Sequence, residues 1–236
     1  MDCPQQARKA RVGRPPRISR EAIIAESLSL LQNCTVEQFT LASVARRLGT
    51  VSMALYNYFP SREALLAEVA NEVCKQFRMP EPIPGQDWKR TLSDWMWTLY
   101  ALGKRYPMMF KVTGVDGKTS AGWLAIAHVV GETLHGLGFR GRELTLTNWL
   151  FCHQVLSLLA MEFGNVNYHS PPALDRLDEL EPRQQQFFLV LRSQYAEISS
   201  EDVLREGFAD LLAAVERRIP TQPGSQADCA GLTPCR

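Results

Sequence analysis

The sequence predicts an all-α protein. Apolar residues recur at helical spacing through nearly every segment. No stretch alternates with the period of two that a half-buried strand requires, and glycine and proline punctuate the helical runs at their ends. At 236 residues the chain can form one large domain or two modest ones and bury a substantial core. Pro80, Pro82, Pro84 and Gly85 break it into a shorter N-terminal and a longer C-terminal helical part.

Residues 1–17 are polar, basic and proline-containing, and are expected to stay a flexible arm without fixed structure. Within residues 1–20, Arg8, Lys9, Arg11, Arg14, Arg17 and Arg20 oppose only Asp2, whereas the whole chain carries a net charge of +1. A local basic arm on a near-neutral protein suits DNA binding by one end. Residues 13–17 (GRPPR) can lie along a minor groove, or can be a plain lead-in. Ser19 is placed to cap a first helix whose buried stripe is Ile23, Ile24, Leu28 and Leu31, ending near Asn33.

Residues 40–59 organise the rest. Leu41, Val44, Ala45 and Leu48 fall at i, i+3, i+4 and i+7 on one helix face, with Thr40 as N-cap and Gly49 at the left-handed C-terminal position. A second short helix must start almost at once, carrying Met53, Ala54, Leu55, Tyr56, Asn57 and Tyr58. Two short helices across a tight glycine turn make a helix-turn-helix, whose second helix enters a DNA major groove; an ordinary αα-hairpin has the same spacing. Pro60 stops this helix and Ser61 caps the next, on which Leu65, Leu66, Val69, Val73 and Phe77 keep helical spacing.

Beyond the proline cluster, Trp88, Leu92, Trp95, Leu99 and Leu102 form a helix that Pro107 ends. Residues 107–112 can add a short helix and residues 114–118 a loop. Trp123, Ile126, Ala127, Val130, Leu134 and Leu137 form the next helix, closed by Gly138. Residues 143–163 are apolar nearly all round, so that helix needs burial on more than one side. Residues 164–181 read as a loop with one turn around Leu174, and 182–197 as a helix. Ser199 and Asp202 have capping-box spacing ahead of a final helix, whose face is Val203, Leu204, Phe208, Leu211, Leu212, Val215 and Ile219. Pro220 stops it, and residues 220–236 are expected to be a disordered tail.

Thr40, Val44, Ala45, Leu48, Gly49, Leu55, Tyr56, Tyr58, Phe59, Arg62 and Leu65 fit the pattern T-x-x-x-[VI]-A-x-x-L-G-x-x-x-x-x-L-Y-x-[HY]-F-x-x-[KR]-x-x-L. This resembles the DNA-binding segment of tetracycline-repressor (TetR) family regulators over roughly residues 18–78. Many members have Val then Ser after the turn glycine, where this chain has Thr50 and Val51, and His is common where Tyr58 stands. The resemblance implies a three-helix DNA-binding domain over 18–79 and a helical ligand-binding and dimerisation domain over 86–219. It implies a homodimer on a palindromic double-stranded operator, with two helices per subunit in a four-helix bundle: residues 143–163 and 203–219, with Leu211 at the interface. A small apolar or amphipathic inducer then releases DNA. Repression is the family's common mode, and an activator would share the pattern.

The DNA contacts expected on this basis are Thr40, Ala42, Thr50, Ser52, Met53, Ala54, Tyr56, Asn57, Tyr58 and Arg62. Short side chains at 52–54 let the backbone approach base edges. Ala54 and the Thr50 methyl suit a thymine methyl, and Asn57 suits adenine. Thr40, Tyr56, Tyr58 and Arg62 suit phosphates, while Leu55 and Phe59 face inward. For the inducer, large apolar side chains (Trp95, Met109, Trp123, Trp149) surround polar candidates Tyr100, Asn148, His153 and Glu162, with Cys152 among them. Such residues are as readily plain core. Filling the space at Ala125 or Cys152 is expected to block ligand response.

Other classes find little support. There is no G-x-S-x-G, P-loop or dinucleotide motif, so no enzyme and no cofactor is expected. Of His128, His135, His153 and His169, the first two can share a helix face, yet no third ligand is spaced to complete a metal site. Cys3, Cys34, Cys74, Cys152, Cys229 and Cys235 show no C-x-x-C, so reduced thiols are expected, with a thiol sensor as the alternative. No apolar run is judged long enough to span a bilayer, and no signal peptide follows Met1; a cytoplasmic protein is expected. The competing reading is an all-α interaction or structural module that touches no DNA.

Overall fold

The computed structural model describes residues 18–32, 38–81, 83, 85–107, 119–163, 176–195 and 197–220. Its helices are α1 (Arg20–Leu31), α2 (Leu41–Arg47), α3 (Ser52–Tyr56), α4 (Arg62–Cys74), α5 (Trp88–Arg105), α6 (Ala121–Gly136), α7 (Gly141–Phe163), α8 (Pro182–Tyr195) and α9 (Ser200–Glu216), with a 3-10 turn at Leu177–Glu179. No strand occurs among the described residues. The expected arm at 1–17, the short helix and loop between 108 and 118, most of the loop at 164–175 and the tail from 221 lie outside them.

Local chemistry sets the helix ends as the sequence implies. Ser19 Oγ accepts from Ala22 N–H, and Ser61 Oγ from Ala64 N–H. Ser199 and Asp202 form the expected capping box. α2 begins in a second box, where Thr40 Oγ1 accepts from Ser43 N–H at 3.0 Å and Ser43 Oγ accepts from Thr40 N–H at 3.0 Å. α2 ends where Gly49 takes φ +66, a conformation that other residues rarely adopt. Thr50 N–H then reaches the carbonyl of Ala45 and Gly49 N–H that of Arg46, the two bonds of a Schellman motif. This turn delivers the chain into α3 after a single extended residue, Val51.

Two apolar clusters form. The first joins α1 to α4 around Ile23, Phe39, Leu41, Val44, Leu55, Phe59, Leu65 and Val69. The second joins α5, α6, α7 and α9 around Trp95, Leu99, Ile126, Val130, Phe151, Val155, Phe208 and Val215. α4 belongs to both: Leu65, Leu66, Val69 and Ala70 face the first, Val73 and Cys74 the second. Trp95 is fully buried; its Nε1–H donates to Ile126 carbonyl at 2.8 Å, and its ring meets those of Phe77, Trp123 and Phe151.

Several expectations change here. Ser27, rather than Ile24 or Leu28, is fully buried on α1, its hydroxyl satisfied by the Ile23 carbonyl four residues back at 2.7 Å. Leu211 is 8% exposed and lies in the second cluster with Leu204, Phe208 and Val215, so this stripe of α9 packs largely within its own chain, while Leu211 and Val215 also line the open groove between α9 and α7. A 3-10 turn precedes α8 at Leu177–Glu179, while the turn expected around Leu174 lies outside the described residues. α7, at 23 residues, is long and apolar enough by length and composition to cross a membrane, which corrects the expectation that no run is. In this fold one face of α7 packs against α5, α6 and α9, burying Thr147, Phe151, Cys152, Val155 and Leu159. Trp149 and Met161 stay exposed. Among the described residues, α7 is thus covered on one side.

Candidate nucleic-acid interface

The site is built by burying one face of α3 and presenting the other. Leu55 is fully buried and Phe59 nearly so, each burial worth about 1.5–3 kcal/mol to the position of this five-residue helix. A helix so short has no stability of its own, so α3 exists because α2 and the first core hold it. Opposite that anchor stand Met53, 74% exposed, Val51, 68% exposed, and Tyr56, half-exposed, with Asn57 also open to solvent. Ser52, Ala54 and Thr50 are half-buried at the near edge, and Thr40 and Ala42 are exposed at the start of α2. The expected contact residues of α2, the turn and α3 are therefore exposed or half-buried, with the two below committed elsewhere.

Tyr58 and Arg62 have internal work. The Tyr58 hydroxyl donates to the Ile18 carbonyl, and Arg62 Nε donates to the Phe39 carbonyl at 2.8 Å. Arg20 completes this framework. Its guanidinium lies 4.4 Å from the centre of the Phe59 ring, donates to the Tyr58 carbonyl at 3.1 Å, and pairs with Glu68 at 3.1 Å. α1 and α4 are thereby fastened to the segment that follows α3, at the point where the basic arm joins the domain.

Two residues were missed from sequence. Val51 is read from the sequence only as a departure from the family pattern, yet it stands as an exposed apolar side chain just ahead of α3, near Met53. Arg46, in the last turn of α2, is exposed and has no ion-pair partner among the described residues, whereas its neighbour Arg47 is held by Glu26 and Ser29. An exposed, uncommitted cation next to a recognition surface suits a phosphate. The signal was the Arg-Arg pair itself, which does not say which of the two is free.

The inducer candidates do not converge. Trp95, Trp123 and Cys152 stand in or against the second core, and Tyr100 stacks on Phe163 with ring centres 5.6 Å apart. Asn148 and Glu162 are half-buried. Trp149 and His153 stack on each other at 4.0 Å on the exposed side of α7, facing away from that core. Ala125 is likewise exposed on α6, so a large side chain there fills no interior space. Met109 lies outside the described residues. Burial pushes the Cys74 thiol up to about 11 and the Cys152 thiol up to about 12, which keeps both protonated and unreactive near neutrality.

Residues 23–69 match the family described as bacterial regulatory proteins, tetR family. Solved structures share the architecture. ActR of Streptomyces coelicolor in complex with (S)-DNPA has a TM-score of 0.71 at 15% identity, over 86% of this chain and 100% of its own. The same protein in complex with actinorhodin has a TM-score of 0.69 at 16% identity, over 85% and 98%. BioQ of Mycobacterium smegmatis has a TM-score of 0.64 at 15% identity, over 85% and 99%. At these identities the likeness establishes the fold, an N-terminal helix-turn-helix domain joined to a C-terminal helical domain. No curated protein matches the chain.

Proposed function

We propose that this chain, whose residues 23–69 are a tetR-family DNA-binding domain, is a cytoplasmic homodimeric repressor that an apolar or amphipathic small molecule releases from a palindromic operator. The observation that carries the DNA reading is the polarity of α3: Leu55 and Phe59 anchor it, and Met53, Tyr56 and Asn57 project from the opposite face. Set in a major groove, Asn57 reads adenine, and Val51, Ala54 and the Thr50 methyl meet thymine methyls. Thr40, Tyr56 and Arg46 hold phosphates and fix register without reading sequence. Tyr58 and Arg62 act behind them, holding the arm's root and the loop before α2.

Dimerisation is supported by what α7 and α9 leave uncovered. Between them runs a shallow groove lined by Thr147, Leu150, Gln154, Leu211, Ala214 and Arg218. The Thr147 hydroxyl is buried without a hydrogen-bond partner among the described residues. A second copy packing α7 and α9 across a two-fold axis covers that groove and sets two recognition helices about 34–36 Å apart, one helical turn of DNA. The inducer reading rests on the fold and on the ActR complexes; it assigns the molecule to the aromatic region among α5, α6 and α7.

The test is selection of duplexes by the full-length protein from a random library, followed by titration at two salt concentrations. A palindromic winner whose affinity falls steeply with salt is expected, because phosphate contacts release counterions. Failure to enrich any duplex would overturn the reading in favour of a non-DNA interaction module.

A further inference from the structure

Asn71 caps a helix to which it does not belong. The first amides of α6 have no acceptor within the helix. Ser120 Oγ takes one, from Trp123 at 3.1 Å, and the Gly122 N–H is taken by Asn71 Oδ1 at 2.9 Å, from α4 and 51 residues away. The helices approach more closely there than a side chain allows. A Cβ on Gly122 would lie 2.6 Å from Cys74 Cβ and 2.9 Å from the Asn71 backbone oxygen. Neither atom is the loose end of a side chain, so a methyl group at 122 can be accommodated only by moving α4 against α6. Beside this contact, the Tyr106 hydroxyl at the end of α5 donates to Gln76 Oε1 at 3.0 Å, just past α4.

The rest of α4 gives this joint its leverage. Leu65, Leu66 and Val69 share the first core with Leu55 of α3, which links α4 to α3 through the packing of α1 and α2. We infer that Asn71 and Gly122 are a positioning pair that fixes the tilt of the DNA-binding domain on the C-terminal domain, and thereby selects the operator half-site spacing the dimer accepts. This rests on the reading of the chain as a dimeric operator-binding protein. It adds a specificity determinant that touches no DNA.

The experiment uses the full-length protein and the duplex it selects, together with the same duplex carrying one base pair more or fewer between half-sites. Asn71→Asp keeps an acceptor on the same atom and is expected to keep the wild-type ranking of spacings. Asn71→Leu removes the acceptor at similar volume; affinity for the preferred spacing is expected to fall about tenfold, the size of one hydrogen bond, and for the altered spacings less. Gly122→Ala is expected to move the optimum to another spacing. If it does not fold, the Asp and Leu variants of Asn71 decide alone. A contact that merely stabilises the fold would lower all three affinities by one factor, and equal ratios in wild type and Asn71→Leu would overturn the inference. A wild-type protein that selects only single half-sites would overturn it too, by removing the dimeric reading beneath it, and that outcome is visible before any variant is made.

Discussion

The hydroxyl of Tyr58 donates to the backbone carbonyl of Ile18, 40 residues earlier in the chain. This bond ties the end of the recognition segment to the root of the basic arm. Tyr58→Phe is expected to lower stability by about 1 kcal/mol, the net worth of one such bond, seen as a lower unfolding midpoint. If the bond orients the arm, Tyr58→Phe should also weaken DNA binding in the full-length protein and have no effect on binding once residues 1–17 are deleted. An equal loss in both backgrounds would assign the hydroxyl to the fold alone.

Tyr56 and Asn57 are neighbours with different duties. Tyr56→Phe is expected to weaken binding to every operator by a similar factor, since a phosphate contact carries no sequence information. Asn57→Ala is expected to relax the preference at one symmetric pair of base positions, at about 1–3 kcal/mol of discrimination. Binding of the two variants to a panel of singly substituted duplexes separates these outcomes. A changed base preference in Tyr56→Phe would reverse the assignment.

Cys74 and Cys152 supply a prediction with a definite sign in pH. Burial raises both thiols from the ordinary value of 9.0, to about 11 and about 12. The folded state thus holds protons that the unfolded state gives up, and stability is whole below pH 9 and falls as pH climbs toward the folded values. Unfolding midpoints measured across that range should decline, and less so in Cys152→Ala. Alkylation of the native protein at pH 8 should spare both residues and reach them after denaturation. Labelling of either in the native state would reopen the thiol-sensor alternative.

The helix-turn-helix was legible because its signals are local. Thr40 caps, Gly49 turns, and the Leu41–Val44–Ala45 stripe faces the core, all within ten residues. Asn71 and Gly122 were invisible for the opposite reason: the bond joins two helices across 51 residues, and neither residue has any periodicity to betray it. Phe39 is fully buried but stands outside a helix, just before the cap of α2, where apolar spacing says nothing. Leu211 marks a subtler boundary. Its stripe announced burial correctly, and an apolar stripe does not say whether its own chain or a second copy covers it. The inducer candidates meet the same limit: residue type places aromatics on α5, α6 and α7, but does not say to which side of α7 Trp149 and His153 turn.

That distinction between stripes yields the sharpest test of the dimer. Leu150 and Leu211 both line the groove between α7 and α9, but only Leu211 is at the same time a buried member of the second core. Burying a leucine is worth about 1.5–3 kcal/mol, and a two-fold axis brings each substitution into the interface twice. Leu150→Glu is therefore expected to sediment as a monomer with wild-type helicity and greatly reduced affinity for a full palindrome. Leu211→Glu is expected instead to lower the unfolding midpoint by burying an unpaired carboxylate, whatever the oligomeric state. Were Leu150→Glu to remain a dimer while Leu211→Glu gave a well-folded monomer, the two faces of these helices would have to be exchanged.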